Sequence, residues 1–290
     1  MRLFLLCLIT MMAFAANSLL NRAALAGGGI DEALFATIRL ASGGAMLAIL
    51  CWGLRGNLTL RGPARTVGVL ALLVYMYGFS LAYNSLDAGI GALMLFALVQ
   101  VTMFGFAVLS GEGVPARRWI GAVMALAGLT ALLWPNTATQ ISLPHAASMG
   151  LAGIAWGAYS LAGKRAGDAL QATAANFVLA TPFGLVLWMV WPAPVPAIDA
   201  TISGIALALT AGAITSGLGY AMWYSVLPKL SASAASVAQL SVPVLALLSG
   251  AMLLGETISL RAAISTAIVL CGIALSLAPA RQENKRSSDR

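Results

Sequence analysis

Charged residues are scarce in this chain. Asp, Glu, Lys and Arg together make up 9% of its 290 residues, whereas an average soluble domain carries about 25%. So few charges could not cover a surface that faces water. The composition therefore excludes a soluble globular domain and predicts a protein that lives in a membrane.

Cysteine and histidine are also rare. The three cysteines, Cys7, Cys51 and Cys271, each lie within or beside an apolar run, and His145 is the single histidine. No metal-ligand spacing surrounds them, so we predict buried thiols, with no disulfide framework and no metal site.

Catalytic motifs are missing as well. The sequence contains no H-E-x-x-H, G-x-S-x-G or C-x-x-C pattern, and Gly157–Lys164 only partly follows the spacing of a phosphate-binding loop. No Lys/Arg run with interleaved aromatics is present. We therefore predict that the protein is not an enzyme, holds no cofactor and binds no nucleic acid.

Long apolar runs fill the chain instead. A bilayer core about 30 Å thick needs about 20 residues of helix to cross it. Ten runs of roughly that length follow one another, at Leu3–Leu20, Leu34–Trp52, Val67–Leu86, Ile90–Leu109, Ile120–Trp134, Ala147–Leu161, Ala172–Trp191, Ile202–Leu227, Ala234–Leu254 and Ala262–Leu277. They predict an all-α membrane protein with ten transmembrane helices.

The N-terminus allows two interpretations. Arg2, an apolar stretch and Ala13-Phe14-Ala15 resemble a cleavable signal, but the apolar run continues past that point to Leu20. We favour a first membrane helix, because cleavage would also remove part of an internal repeat.

The repeat relates the two halves of the chain. A shift of 144 residues places Gly111-Glu112 on Gly255-Glu256 and Gly128 on Gly272, and a shift of 142 places Phe14–Ser18 on Trp156–Ser160. Each half, 1–136 and 145–279, then holds five helices. Because five is odd, the halves enter the membrane from opposite sides, which is the inverted repeat of many secondary transporters.

The basic residues predict the orientation. If the N-terminus is cytoplasmic, 13 of the 16 Lys and Arg residues lie inside and only Arg22 and Arg261 lie outside. Both termini are then cytoplasmic, and 280–290 is a disordered cytoplasmic tail. In a bacterium, the expected location is the inner membrane.

Arg39 is the one basic residue within a predicted span, about two turns into its helix. Its side chain either extends to the outer interface or faces a cavity, where it would attract a carboxylate. Asp87, Glu112 and Glu256 fall at helix ends, which favours capping or loop roles.

Aromatic and amide side chains point to a binding site. Tyrosines occur only in the third, sixth and eighth runs, and uncharged polar residues recur inside other runs, where lipid exposure would be costly. The alternatives are anchoring at the interface and hydrogen bonding between helices. Pro182 and Pro243 interrupt the hydrogen bonds of their helices, and the glycines at Gly89, Gly91, Gly217 and Gly219 either provide bending points or allow close packing.

The chain resembles the drug/metabolite transporter superfamily, EamA type, over nearly its whole length. The resemblance rests on Trp156-Gly157-x-x-Ser160, its degenerate copy at Phe14–Ser18, Arg39 after Phe35-Ala36, and the Gly111-Glu112 and Gly255-Glu256 steps, each followed by a helix bearing Gly128 or Gly272. Within that superfamily it is most similar to YddG-like exporters of aromatic and other amino acids.

The resemblance implies a cavity lined by helices one, three, four, six, eight and nine, with helices five and ten outside. We expect an exporter of small metabolites, amino acids first, working by alternating access as a monomer or weak homodimer. The expected substrate-binding residues are Trp156, Tyr159, Tyr220, Trp223, Tyr77, Asn84, Asn17, Gln100, Gln239 and Arg39. Organic cations or drugs, nucleosides and sugar derivatives are alternative substrates, and a membrane-embedded enzyme is a more distant alternative.

Overall fold

The computed structural model describes residues 2–111, 115–134, 141–163, 167–191, 200–226, 229, 238–239 and 241–277. Within these ranges the regular structure is helical. The helices are α1 (Arg2–Leu25), α2 (Glu32–Arg55), α3 (Arg65–Ala82), α4 (Ala88–Leu109), α5 (Ala116–Leu133), α6 (Leu143–Gly163), α7 (Ala169–Val190), α8 (three pieces, below), α9 (Ser241–Leu254) and α10 (Leu260–Leu277).

Helix α8 changes its hydrogen-bonding pattern along its length. It is α-helical over Ile202–Thr210, π-helical over Ala211–Leu218 and α-helical again over Gly219–Val226. A π segment is rare and often marks a functional position. The apolar run predicted a helix here, with Gly217 and Gly219 as positions that loosen it, and Gly217 lies within the π segment while Gly219 directly follows it.

Aspartates start the second helix of each predicted half. Asp31 accepts hydrogen bonds from the amides of Ala33 and Leu34, and Asp168 accepts them from Leu170 and Gln171. Such side chains satisfy amide groups that have no partner within the helix. Burial raises the pKa of Asp31. For Asp168 burial acts in the same direction, but the Arg55 hydrogen bond and the helix amides outweigh it and lower the pKa.

Seven helices within the described ranges are long and apolar enough to cross a membrane: α1 to α5, α7, and α8 over Ile202–Trp223. Helix α6 is long enough but less apolar, whereas α9 and the Leu260–Leu275 part of α10 are apolar but shorter. Ten crossings therefore remain a prediction. Pro182 lies inside α7, and Pro243 lies in α9, two residues after Ser241.

The outside of the bundle is apolar. Large side chains such as Phe4, Leu109, Val190 and Met252 are exposed on four different helices. A soluble protein rarely exposes so much apolar surface. Lipid is the environment that matches it, and the bundle is that of a multi-pass membrane protein.

The helices pack in a regular set of pairs. Helix α2 packs on α7, α4 on α9 and α5 on α10, while α3 and α4 both pack on α6, and α8 and α9 both pack on α1. Helices α3 and α8 also contact α7 and α2 respectively.

Two glycines bring α5 and α10 together. A side chain at Gly128 would meet Val269 atoms at 2.7 Å, and one at Gly272 would meet the Ala125 nitrogen at 2.8 Å. Gly128 and Gly272 differ by 144 in residue number, and so do their contact partners Ala125 and Val269. This is the shift found in the sequence. Gly111 and Gly255, related by the same shift, both adopt positive φ, 73° and 67°, just after α4 and α9.

Candidate functional site

A small cavity lies inside the bundle. Its volume is about 20 Å³, which is room for about one water molecule. It is lined by Phe14, Asn17, Ser18, Tyr75, Phe79, Leu95, Phe96, Trp156, Tyr220 and Gln239. These residues come from α1, α3, α4, α6 and α8 and from the residue pair just before α9, which matches the six helices that the family resemblance implies.

Trp156 is the centre of an aromatic cluster on one wall of the cavity. Its ring stacks on Tyr159, with centroids 5.3 Å apart, and lies 4.7 Å from Tyr75 and 5.2 Å from Tyr220. Tyr220 in turn meets Phe14 edge-on at 5.7 Å. Such rings offer stacking surface to a planar group on a ligand.

A polar chain runs along the other side. The Asn17 amide oxygen accepts hydrogen bonds from Thr215 at 2.6 Å and from Ser216 at 3.3 Å. Both hydroxyls belong to the π-helical segment of α8. The Ser216 oxygen also accepts from Arg39 Nε at 3.1 Å, so the cavity residue Asn17 and the buried guanidinium share one partner.

The close packing of α2 and α8 depends on Gly212 in the π-helical segment. A Cβ atom there would collide with the Ser42 hydroxyl and the Arg39 backbone. Only a glycine lets the backbones approach this closely, and the approach brings Ser216 within reach of Arg39.

Arg39 is fully buried, with 0% of its surface exposed. Its Nη2 donates to the Tyr75 hydroxyl at 3.1 Å, and its guanidinium lies 5.0 Å from the Phe79 ring and 5.5 Å from the Tyr75 ring. The structure contradicts the interpretation in which the side chain extends to the outer interface, because Ser216 and Tyr75 hold it in the interior.

An ionic cluster joins several helix ends at one end of the bundle. Arg22, at the end of α1, donates to the carbonyls of Tyr83 and Asn84 at 3.2 Å. Its guanidinium also lies 3.5 Å from carboxylate oxygens of both Asp87 and Glu256. The contacts join α1, the α3–α4 corner and the α9–α10 corner.

Glu256 has a second role in this cluster. Both of its oxygens accept from the Ala88 amide, at 2.9 and 3.0 Å, and so cap the start of α4. Burial raises the pKa of Glu256 despite the Ala88 amide and Arg22. The carboxylate therefore loses its charge at a higher pH than a free glutamate, and acidification weakens the ion pair with Arg22. Glu112, its repeat mate, lies outside the described residues.

The structure brings together part of the predicted site. Asn17, Trp156, Tyr220 and Gln239 line the cavity. Tyr159 contacts Trp156, and the Trp223 ring centroid lies 6.0 Å from that of Phe14. Arg39 lies behind Tyr75 and Phe79.

Three predicted residues lie elsewhere. The Tyr77 hydroxyl forms hydrogen bonds with the Thr37 hydroxyl at 2.6 Å and with the Gly184 carbonyl at 2.7 Å. The Asn84 amide donates to Glu32 near the ionic cluster. Gln100 lines a separate cavity of about 10 Å³ between α4, α5 and α10.

Sequence reasoning missed several cavity residues. Phe14 and Tyr75 were visible in the sequence, one as the repeat mate of Trp156 and the other as a tyrosine of the third run. Phe79, Leu95 and Phe96 carried no signal, because aromatic and aliphatic residues in an apolar run look alike whether they face lipid or a cavity.

The fold and the site define a class of protein: a multi-pass membrane bundle with an aromatic and polar cavity inside it. Residues 146–278 match the model of the EamA-like transporter family. An uncharacterised protein of Pseudomonas aeruginosa is 47% identical over 279 residues, covering 96% of this chain and 95% of its own. The chain belongs to the EamA-like transporter family.

Two further similarities agree with this assignment. The uncharacterised transporter YoaV of Bacillus subtilis is 24% identical and covers 84% of this chain and 86% of its own. A solved crystal structure superimposes with a TM-score of 0.67 at 18% identity, covering 95% of this chain and 97% of that one. The latter similarity concerns the fold alone.

Proposed function

We propose that this protein is a secondary transporter that exports small metabolites, amino acids including aromatic ones, across a bacterial inner membrane. Substrate binds in the cavity beside Trp156, Tyr220, Asn17 and Gln239. Both termini face the cytoplasm, and the protein works as a monomer or weak homodimer. The cavity carries this proposal, because its aromatic wall and amide groups are buried inside a membrane bundle where such polar groups are otherwise costly.

The packing pairs support two five-helix repeats. If α1 to α5 correspond to α6 to α10, the α3–α6 contact corresponds to α8–α1, α4–α6 to α9–α1, and α3–α7 to α8–α2. The remaining main pairs, α2–α7, α4–α9 and α5–α10, join corresponding helices. Two bundles related by a two-fold axis, with the cavity between them, would produce this set of contacts.

The cavity volume of about 20 Å³ supports a closed conformation. An amino acid needs a pocket several times larger, so the helices around the cavity must separate during transport. Alternating access supplies this motion if the two bundles rock against each other.

The first test is transport by purified protein in liposomes loaded with labelled phenylalanine, leucine, a nucleoside or an organic cation. We expect the two amino acids to leave the vesicles several-fold faster than from protein-free vesicles, with no gain for the nucleoside. Efflux of the cation or nucleoside without amino acid efflux would contradict the amino acid assignment and favour the other substrate classes.

Arg22 offers a second test, which concerns gating. We propose that the ionic cluster faces the outside and holds the outer end shut. Arg22→Gln removes the guanidinium that donates to the Tyr83 and Asn84 carbonyls and forms the ion pairs with Asp87 and Glu256. Because hydrogen bonds to charged groups contribute about 1.5–3 kcal/mol each, we expect about tenfold faster labelling of Ser18→Cys by a membrane-impermeant thiol reagent.

The labelling uses a background in which Cys7, Cys51 and Cys271 are replaced by alanine. Arg55→Gln is the matched control, since it breaks an arginine ion pair with Asp168, 2.6 Å long, that joins α2 to the start of α7. If the Arg22→Gln variant were labelled no faster than the same protein with the arginine in place, the cluster would not hold this end closed.

A further inference from the structure

We infer that Arg39 is the anion subsite of the cavity and that transported substrates must present a carboxylate to it. This inference rests on the proposed function and specifies its substrate class. It excludes simple amines and organic cations that lack an acid group.

Arg39 carries a buried charge that no neighbouring carboxylate compensates in the described part of the chain. Arg39 has no exposed surface, and its Nη1 nitrogen is buried without a hydrogen-bond partner in the part of the chain that the structure describes. No carboxylate of the described residues lies within ion-pair distance of it, since the ion pairs found there belong to Arg22 and Arg55. Burying an unpaired cation is costly, and in membrane helices such groups mark substrate or ion sites.

The Arg39 guanidinium lies directly behind the side chains that line the cavity. Tyr75 and Phe79 line the cavity and also contact Arg39 through their rings. Ser216 links Arg39 Nε to Asn17, another lining residue. A single layer of side chains thus separates the guanidinium from the cavity. Enlarging the cavity to hold a substrate exposes the guanidinium on the cavity wall.

The hydrogen-bond donors of Arg39 are only partly used. Nε is held by Ser216 and Nη2 by the Tyr75 hydroxyl, so both bonds fix the plane of the guanidinium. Nη1 remains available, and Nη2 has a second hydrogen. A planar carboxylate can accept from both terminal nitrogens, which is the geometry that arginine favours.

An α-amino acid matches the whole arrangement. Its carboxylate meets Arg39, while an aromatic side chain meets the Trp156 and Tyr220 rings and the ammonium group can face π-electron density. An amine without a carboxylate would place a second positive charge beside the guanidinium and would be repelled.

The test compares four compounds that share a phenyl ring. Phenylalanine and 3-phenylpropionate carry a carboxylate, whereas phenylalaninamide and phenethylamine do not. We expect both carboxylates to inhibit efflux of labelled phenylalanine from proteoliposomes, and the other two to be weaker by about tenfold or more, as expected for one charge-assisted contact.

Variants of Arg39 add a second readout. In Arg39→Gln the advantage of phenylalanine over phenylalaninamide should fall to within about twofold, and Arg39→Lys should keep only part of it, because lysine lacks the planar fork. Arg55→Gln, on the same helix but in an exposed ion pair, should retain the full preference.

Thermal unfolding in detergent separates binding from structure. Without substrate, Arg39→Met should unfold at the same temperature as the parent or higher, because a buried unpaired charge is removed. With 3-phenylpropionate, the parent should be stabilised and the variant should not. A clear loss of stability in Arg39→Met together with unchanged substrate preference in Arg39→Gln would assign Arg39 a purely structural role.

The remaining outcomes are also decisive. If the parent transports the amide and the amine as well as phenylalanine, the inference fails while the proposed transport function stands. If no phenyl compound moves but a nucleoside does, the proposed function fails and the inference with it. If chloride stabilises the parent and carboxylates do not, an inorganic anion occupies the subsite and the carboxylate assignment is wrong.

Discussion

Trp156→Ala is expected to reduce amino acid efflux by at least about tenfold. The indole contacts Tyr75, Tyr159 and Tyr220, so its removal takes away the centre of the aromatic wall. Aromatic contacts contribute about 0.5–1.5 kcal/mol each beyond burial, and three are lost together. Initial rates of efflux from proteoliposomes, normalised to inserted protein, measure the effect.

Two further variants keep this prediction testable. Trp156→Phe retains a ring and should recover part of the rate, while both variants should elute as the parent does in detergent. Trp52→Ala is the matched control, because Trp52 is 61% exposed on the outside of the bundle. Unchanged efflux in Trp156→Ala would remove this residue from the substrate site.

Gly212→Leu is expected to prevent correct folding. The new side chain would start inside the space held by the Ser42 hydroxyl and only 2.9 Å from the Arg39 Cα atom. Backbone atoms cannot move aside as the end of a flexible side chain can. Overpacking typically costs about 1–3 kcal/mol and sometimes more, so we expect most of the protein to be lost from the monodisperse peak in detergent.

Gly150→Leu is the control for this substitution. Gly150 is also inside a helix, α6, but a Cβ atom there would meet nothing within 4 Å. It should therefore express and unfold as the parent does. If Gly212→Leu matched it in yield and melting temperature, the close approach of α2 and α8 would not be required for the fold.

Much of the bundle was predictable from the sequence, because the requirement for apolar length leaves few alternatives. Each apolar run contains a helix in the structure, although α1 begins at Arg2 and ends at Leu25, beyond the predicted run. The shift of 144 was also informative, since it recurs in the contacts of Gly128 and Gly272. The ends differ because polar and basic residues continue a helix beyond the apolar segment that a hydropathy pattern detects.

The site was only partly predictable. The sequence identifies which residues are polar or aromatic but not which face of a helix they occupy, and a helix face is settled by packing. Tyr77 thus bonds to α7 instead of facing the cavity, and Asn84 belongs to the ionic cluster. The partners of Arg39 were not visible because Ser216 and Tyr75 are far from it in the chain and reach it only through the packing of α8 and α3 on either side.

The π-helical segment affects every side chain that follows it in α8. A π turn takes in more residues than an α turn, so each residue turns less about the axis. Where the α pattern resumes at Gly219, the residues have therefore rotated less about the helix axis than they would in an uninterrupted α-helix. Tyr220 and Trp223 therefore point in directions that a helical wheel drawn from Ile202 would assign to other residues. Eight residues of altered winding thus decide which side chains of this helix reach the interior of the transporter.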